Sequence, residues 1–241
     1  MNSGNAVSTT AKAPQKRDDE ILSHISAYRI TVPEVLGAIF FQGSDRSAVT
    51  KVLSRLTRAG HLECRDLYPP RKYWTLSPAA VRDRGLSEGF SSIGPQALAH
   101  SYATLYFCCS SESPFDRRHI TRLELMRDRP QFAPKGLPAQ DYFLESDGET
   151  TKLGFLVVDH GANYLRILRK CRDATQKRYV HESFRTLIDD GHFLIAIATY
   201  REEKRDRLLA ALDSSEIRVS VPYTIEVIPG LKNLIPRKGT R

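Results

Sequence analysis

The 241-residue chain has no apolar run near the roughly 20 residues that a membrane-spanning helix needs. Its longest apolar stretches, in "FLVVD" and "HFLIAIATY", are strand-sized. The N-terminus lacks the apolar core of a signal peptide, so a cytoplasmic location without a membrane role is expected. Cysteine is scarce: Cys64, Cys108, Cys109 and Cys171 form no CxxC pair, and adjacent Cys108 and Cys109 are ill-suited to bridge each other. They read as reduced, packed thiols. The seven histidines lack ligand spacing, which argues against a structural zinc site. There is no Gly-rich phosphate loop of the P-loop or dinucleotide kind, and no internal repeat.

Positive charge is in excess. Lys and Arg number 36 against 28 Asp and Glu, for a formal net charge of +8. Such a balance favours an anionic partner, nucleic acid before a membrane surface, with a merely solvated basic surface as the alternative. Hydrophobic residues at 41% and charged residues at 27% are ordinary for a globular protein.

Residues 1–17 are small, polar and basic and are expected to be disordered. Residues 18–86 carry three helical periods and then a change of period. The first helix is signalled by Asp18, Asp19, Ile21, Leu22 and Ile25. The second has Thr31 as N-cap and Pro33 in its first turn. The third has Ser44 as N-cap, an apolar stripe of Val49, Val52, Leu53 and Leu56, and Gly60 as its stop. Two short strands follow, His61–Leu67 and Lys72–Leu76, joined at Pro69–Pro70. Helix-helix-helix-hairpin is the winged-helix plan, in which the third helix enters the major groove and the wing reaches phosphate or the minor groove. Candidate DNA-binding residues are therefore Ser44, Arg46, Ser47, Thr50, Lys51, Arg55 and Arg58 on the third helix, with Arg71 and Lys72 on the wing. The alternative is a winged helix used for protein contact.

Residues 87–96, rich in Ser and Gly, read as a linker. Residues 97–230 then begin with a strongly apolar helix, "PQALAHSYATLYFCC", followed by "RRHITRLELMRD", which suits helix or strand. Beyond a Pro-rich loop come strands Asp141–Glu145 and Lys152–Asp159, a helix from Tyr164 to about Asp190 with a break near Gln176, strand His192–Tyr200, helix Arg201–Asp213 and a final strand in "IRVSVPYTIEVI". That alternation predicts a mixed-sheet α/β domain. Residues 231–241 form a basic, loose tail. Arg166, Arg169, Lys170, Lys177 and Arg178 make a second basic patch on the long helix, and the mixed-charge "REEKRDRLL" reads as a solvated face.

"LAHSYATLYF", "QDYFLES" and "FLVVDHG" with its basic helix resemble the replication-relaxation family of plasmids and other mobile elements, over roughly Asp18 to Ile228. The resemblance implies a winged helix joined to a domain like the PD-(D/E)xK nucleases. Such a nuclease holds a divalent cation between two carboxylates on adjacent strands and adds a lysine. Asp141 matches the first carboxylate and Asp159 a family acid, but Val157 stands at the glutamate position and Gly161 where the lysine would be. Lys170 could substitute in space, and Asp141 with Asp159 could hold Mg²⁺ weakly through waters. His100 matches a family histidine and is read as a packed, hydrogen-bonded residue; His160 has no ordered nucleophile beside it. No catalytic residue, metal or other cofactor is assigned.

The reading is a duplex-DNA-binding protein of a plasmid, phage or mobile element, sequence-specific or structure-directed, acting in regulation, replication or transfer. A homodimer and mobile-element replication or transfer proteins are the further partners expected. A Mg²⁺-dependent nicking enzyme using Asp141 and Asp159, or an interaction adaptor without DNA, are the alternatives.

Overall fold

The computed structural model describes residues 16–90, 92–110, 113–213 and 219–235. Helices α1 (Lys16–Tyr28), α2 (Pro33–Phe40) and α3 (Arg46–Arg58) precede a hairpin of β1 (Leu62–Tyr68) and β2 (Arg71–Leu76). The buried residues Ile21, Leu22, Ile25, Leu36, Val49, Leu53, Leu56, Leu62 and Leu76 pack together, as their helical and strand spacing dictates. Thr31 does not cap α2. Its backbone pairs with Trp74 in both directions, at 2.9 and 3.0 Å, adding a one-residue third strand to the hairpin, and Val32 occupies the cap position. Ser44 does not cap α3 either: Asp45 does, accepting from the Ser47 amide at 3.3 Å. Ser77 caps the short α4 (Pro78–Asp83) as its sequence suggests.

The rest is a mixed α+β arrangement. Its elements are α5 (Pro95–Cys109), β3 (Asp116–Ile120), α6 (Arg122–Asp128), β4 (Tyr142–Ser146), β5 (Thr151–Val158), α7 (Tyr164–Tyr179), α8 (Glu182–Asp189), β6 (Phe193–Thr199), α9 (Glu202–Asp213) and β7 (Tyr223–Val227). The ambiguous "RRHITRLELMRD" is both strand and helix, divided by a Thr121–Glu124 capping box. The long basic helix breaks at Val180–His181 instead of near Gln176. The sheet order is β3-β4-β5-β6-β7, antiparallel at its first two pairings and parallel at its last two.

Both faces of the sheet are covered, so β5 from Leu153 and β6 up to Thr199 are apolar runs. Phe155, Val157, Phe193, Ile195 and Ile197 pack with the α7, α8 and α9 side. Leu156, Val158, Leu194, Ala196 and Ala198 pack with α5, and the alanines leave room for that helix. The same core takes in Tyr28, Ile30, Val32, Val35, Leu67 and Tyr73 from the N-terminal elements. The two halves therefore share one continuous apolar core. The expected loose tail is docked at its start, with Leu231 and Leu234 buried in that core; residues 236–241 and 1–15 lie outside the described residues. Lys16 and Arg17 belong to α1 rather than to a disordered segment. The expected linker is partly ordered too. Arg29 donates to the carbonyls of Gly89 and Phe90 at 3.1 and 3.0 Å.

Arg117 joins the two edges of the sheet. It bonds Glu145 of β4 at 2.7 Å and Glu226 of β7 at 2.5 Å, over the Phe107 ring. In a flat sheet β3 and β7 would lie about 19 Å apart, four strand spacings, which is more than an arginine and a glutamate can bridge. The sheet is therefore coiled around α5.

Two stability predictions arise. Gly154 of β5 leaves the space in which the Phe143 ring sits, so a Cβ there would collide with the ring. Gly154→Ala should cost about 1–3 kcal/mol, read as a lower urea midpoint at unchanged slope. His24 packs on Tyr28 and Phe40 with its Nε2 buried and unpaired, and burial pushes its imidazole down from 6.5 to about 4. The unfolded chain then binds a proton that the folded chain refuses. Stability is complete above the unfolded value of 6.5 and is lost as pH falls towards about 4, by roughly 3 kcal/mol. His24→Phe should shrink the difference in urea stability between about pH 7.5 and about pH 4.5.

Candidate functional site

Two regions carry the candidate residues. On α3 the stripe Val49, Leu53 and Leu56 is buried, which turns Arg46, Ser47, Thr50, Lys51 and Arg58 outward. Arg46 is 82% exposed, with Glu34 at 3.8 Å, and Lys51 makes no ion pair among the described residues. Among the described residues Arg58 bonds only the Ser54 carbonyl, at 3.3 Å. Arg55 has another role. Its guanidinium grips buried Asp18 with two bonds of 2.7 Å, tying α3 to α1, and that hydrogen-bonded pairing raises its pKa. On the hairpin, Lys72 is exposed beside Asp66 at 3.7 Å, whereas Arg71 is half-buried and held by Glu34 and Tyr68. The hairpin tip turns toward the second half of the chain: the Tyr68 and Tyr102 hydroxyls both lie against Gly230.

The second basic patch is smaller than expected. Arg166, Arg169, Lys170 and Lys177 are exposed, but Arg178 is 1% exposed. Its guanidinium lies 3.8 Å from the Phe155 ring centroid, donates to the Tyr142 hydroxyl at 2.9 Å, and bonds the Ala174 carbonyl at 2.8 Å. Aromatic faces take the place of a carboxylate, and burial lowers its pKa.

The second region is the carboxyl end of β5, where open α/β sheets place ligands. Asp159 is fully buried. Its Oδ1 accepts from the amides of Gly161 at 2.9 Å and Ala162 at 3.1 Å; its Oδ2 accepts from Thr199 Oγ1 at 3.0 Å and Lys204 Nζ at 2.6 Å. All its acceptor sites are used inside the protein, so a cation could reach it only by displacing them. Among the described residues no group of three His, Cys, Asp or Glu side chains is placed to hold a metal. Val157 is buried against α7, and Lys170 is exposed and makes no ion pair with Asp159 among the described residues. Asp159 is a structural carboxylate that shapes the β5–α7 loop.

Asp141 stands apart from it. His100 Nε2 lies 2.8 Å from Asp141 Oδ1, so His100 is not simply a packed core residue. The His160 ring stacks on His100, with centroids 6.1 Å apart and planes 20° off parallel. Asp141 has a φ of 72°, a left-handed backbone that a non-glycine residue adopts only under constraint. The constraint is visible: its carbonyl accepts the Leu156 amide at 2.8 Å, just before β4 begins. Burial first, then the nearby His100 and Lys170, lower the His160 pKa.

Sequence reasoning missed Lys204 and the His100–Asp141 pair. Lys204 sits in a mixed-charge run that has no distinguishing pattern, and His100 lies 41 positions from Asp141 in the chain. A cavity of about 450 Å³ opens beside Lys204, lined by Ala162, Tyr164, Tyr200, Arg201 and Arg207 among others. No described helix is long and apolar enough to cross a membrane. No family model, curated protein or solved structure matches the chain.

The Asp159–Lys204 pair makes a direct test. Lys204→Met should strand a buried carboxylate and cost about 3–5 kcal/mol in urea denaturation. The double variant Asp159→Asn with Lys204→Met should recover part of that loss. Millimolar Mg²⁺ should leave the wild-type midpoint unmoved; a rise abolished by Asp159→Asn would restore the metal reading.

Proposed function

We propose that the protein binds duplex DNA, with α3 as the element that enters the major groove. The observation that carries this reading is the outward face of α3. Arg46, Thr50 and Arg58 follow one another at intervals of four and eight residues, with Ser47 and Lys51 alongside, and the opposite stripe is anchored in the core. The one-residue strand at Thr31, the hairpin and the α2–turn–α3 corner support a winged-helix lobe. Arg46, Lys51 and Arg58 are the cations we assign to phosphate, with Lys72 as a flanking contact. Arg55 and Arg71 are excluded from that set, because their charges are engaged by Asp18 and Glu34.

The second lobe is proposed to be a nuclease-like scaffold that has lost its metal site. Asp141 precedes β4 and Asp159 follows the adjacent β5, but the position where a second ligand would stand holds buried Val157 and Asp159 is saturated. The resemblance to mobile-element replication-relaxation proteins suggests a setting in regulation, replication or transfer. A second copy on a two-fold DNA site is the stoichiometry that goes with a winged helix.

Binding to a DNA fragment, followed against salt, tests the reading. Four phosphate contacts give a slope of log K on log salt of about −3.6 per protomer. The double variant Arg46→Ala with Lys51→Ala should weaken binding and lower the slope's magnitude by about 2. Arg71→Gln should leave the slope unchanged. A slope unaffected by the α3 double variant would remove α3 from the interface.

A further inference from the structure

The His100–Asp141–His160 group is not used by the duplex-binding reading, and the inference drawn from it does not rest on that reading. The three residues come from separate elements. His100 is on α5, flanked by fully buried Ala99 and Tyr102. Asp141 is at the strained entry to β4, and His160 is on the loop that buried Asp159 holds. Lys204 fixes that loop a second time, bonding the Ala162 carbonyl at 2.6 Å. Each side chain is thus carried by a rigid support, yet the group opens to solvent: the His100 and Asp141 side chains are 30% and 20% exposed, and His160 is exposed.

The pairing sets the chemistry. The Asp141 carboxylate accepts the proton on His100 Nε2, which leaves Nδ1 as the ring nitrogen that can exchange a proton with a substrate. His160 lies one phosphate-width away, at 6.1 Å between ring centroids. Two imidazoles so spaced can remove a proton on one side of a phosphorus and deliver one on the other. Among the described residues no hydroxyl or thiol is hydrogen-bonded to either ring, so the group lacks a built nucleophile. An acid–base pair alone suffices where the substrate brings its own nucleophile, correctly placed, as a ribose 2′-hydroxyl is beside its phosphodiester. Lys170, within electrostatic reach of His160, and exposed Arg166 provide cations for the phosphate charge.

We propose that His100 and His160 form a general acid–base site that cleaves single-stranded RNA by internal attack of the ribose 2′-hydroxyl, with Asp141 positioning His100. The neutral His160 ring takes the 2′-hydroxyl proton as the 2′-oxygen bonds to phosphorus. The bond from phosphorus to the 5′-oxygen breaks, and that oxygen takes the proton from Nδ1 of the His100 imidazolium, which the Asp141 carboxylate holds. The products are a 2′,3′-cyclic phosphate and a free 5′-hydroxyl. Proton exchange with water resets both rings, and nothing is oxidised or reduced.

The experiment is incubation of the full chain with an end-labelled single-stranded RNA oligonucleotide in EDTA, with the product ends identified. Wild-type protein should yield 2′,3′-cyclic phosphate ends. His100→Ala and His160→Ala should each lower the rate by about 10²–10⁴-fold. Asp141→Asn should lower kcat with KM unchanged, the signature of a misoriented catalytic histidine rather than lost binding. A single 2′-deoxy nucleotide should protect its own linkage, and the all-DNA oligonucleotide should stay intact. Equal rates in wild type and the two histidine variants would expose a contaminating nuclease and overturn the proposal. So would cleavage of the DNA oligonucleotide at the RNA rate, which would mean attack by water. His160 is exposed, so its variant folds even if His100→Ala does not, and either arm alone decides. Duplex-DNA binding by His160→Ala should match the wild type, which separates failure here from failure of the duplex-binding reading.

Discussion

The constraint on which the structure depends is the burial of most of α5, with its start and His100 left open to solvent. Ala99, Tyr102, Ala103, Leu105 and Phe107 are fully buried, and Ser101, Thr104 and Cys108 nearly so. A helix without a polar face has to be enclosed, and neither the sheet nor the N-terminal helices can enclose it alone. The sheet coils around one side, with its small Ala196 and Ala198 admitting the helix, and Arg117 joins β3 to β7 beneath its end. The N-terminal elements close the other side through Tyr28, Ile30, Val35 and Tyr73. That enclosure explains why the hairpin leans onto the rest of the chain and why Arg71 is held at home. Burying each large apolar side chain contributes roughly 1.5–3 kcal/mol, so separating the halves would sacrifice many such terms.

The same enclosure decides what the carboxyl end of β5 can do. Because α5 is packed on both flanks of His100, His100 is delivered to one place, and Asp141 meets it there with a left-handed backbone. Asp159, which follows the strand in the manner of a catalytic acid, is instead consumed by two amides, a hydroxyl and a lysine. A buried carboxylate without those partners would be costly. Its role is to build the loop that carries His160. Two aspartates that look equivalent along the chain are thus separated by burial: one is a scaffold, and the other faces solvent beside a titratable partner.

Much of the architecture was legible in the residues. The stripe Val49, Leu53 and Leu56 located α3 and its outward face, Pro33 and Pro78 marked helix starts, and the apolar runs at Leu153–Val158 and Phe193–Thr199 located two covered strands. The caps at Thr31 and Ser44 were misread because a residue's cap role competes with other backbone partners. Thr31 gains two strand hydrogen bonds to Trp74, and Asp45 lies one position nearer to the Ser47 amide. Arg178 looked like surface because arginine usually is; three aromatic rings and a tyrosine hydroxyl, distant in sequence, make a buried position tolerable.

The amino-acid sequence by itself determined the order of elements, their inward faces, the basic character of α3 and the absence of a membrane-length apolar helix, because these depend on periodicity and composition within short windows. Which charges remain free was decided only by tertiary structure. Arg55 finds Asp18 across 37 positions, Lys204 finds Asp159 across 45, and His100 finds Asp141 across 41. A charge's availability is set by who stands next to it, and neighbours at that separation are chosen by packing of the whole chain around α5.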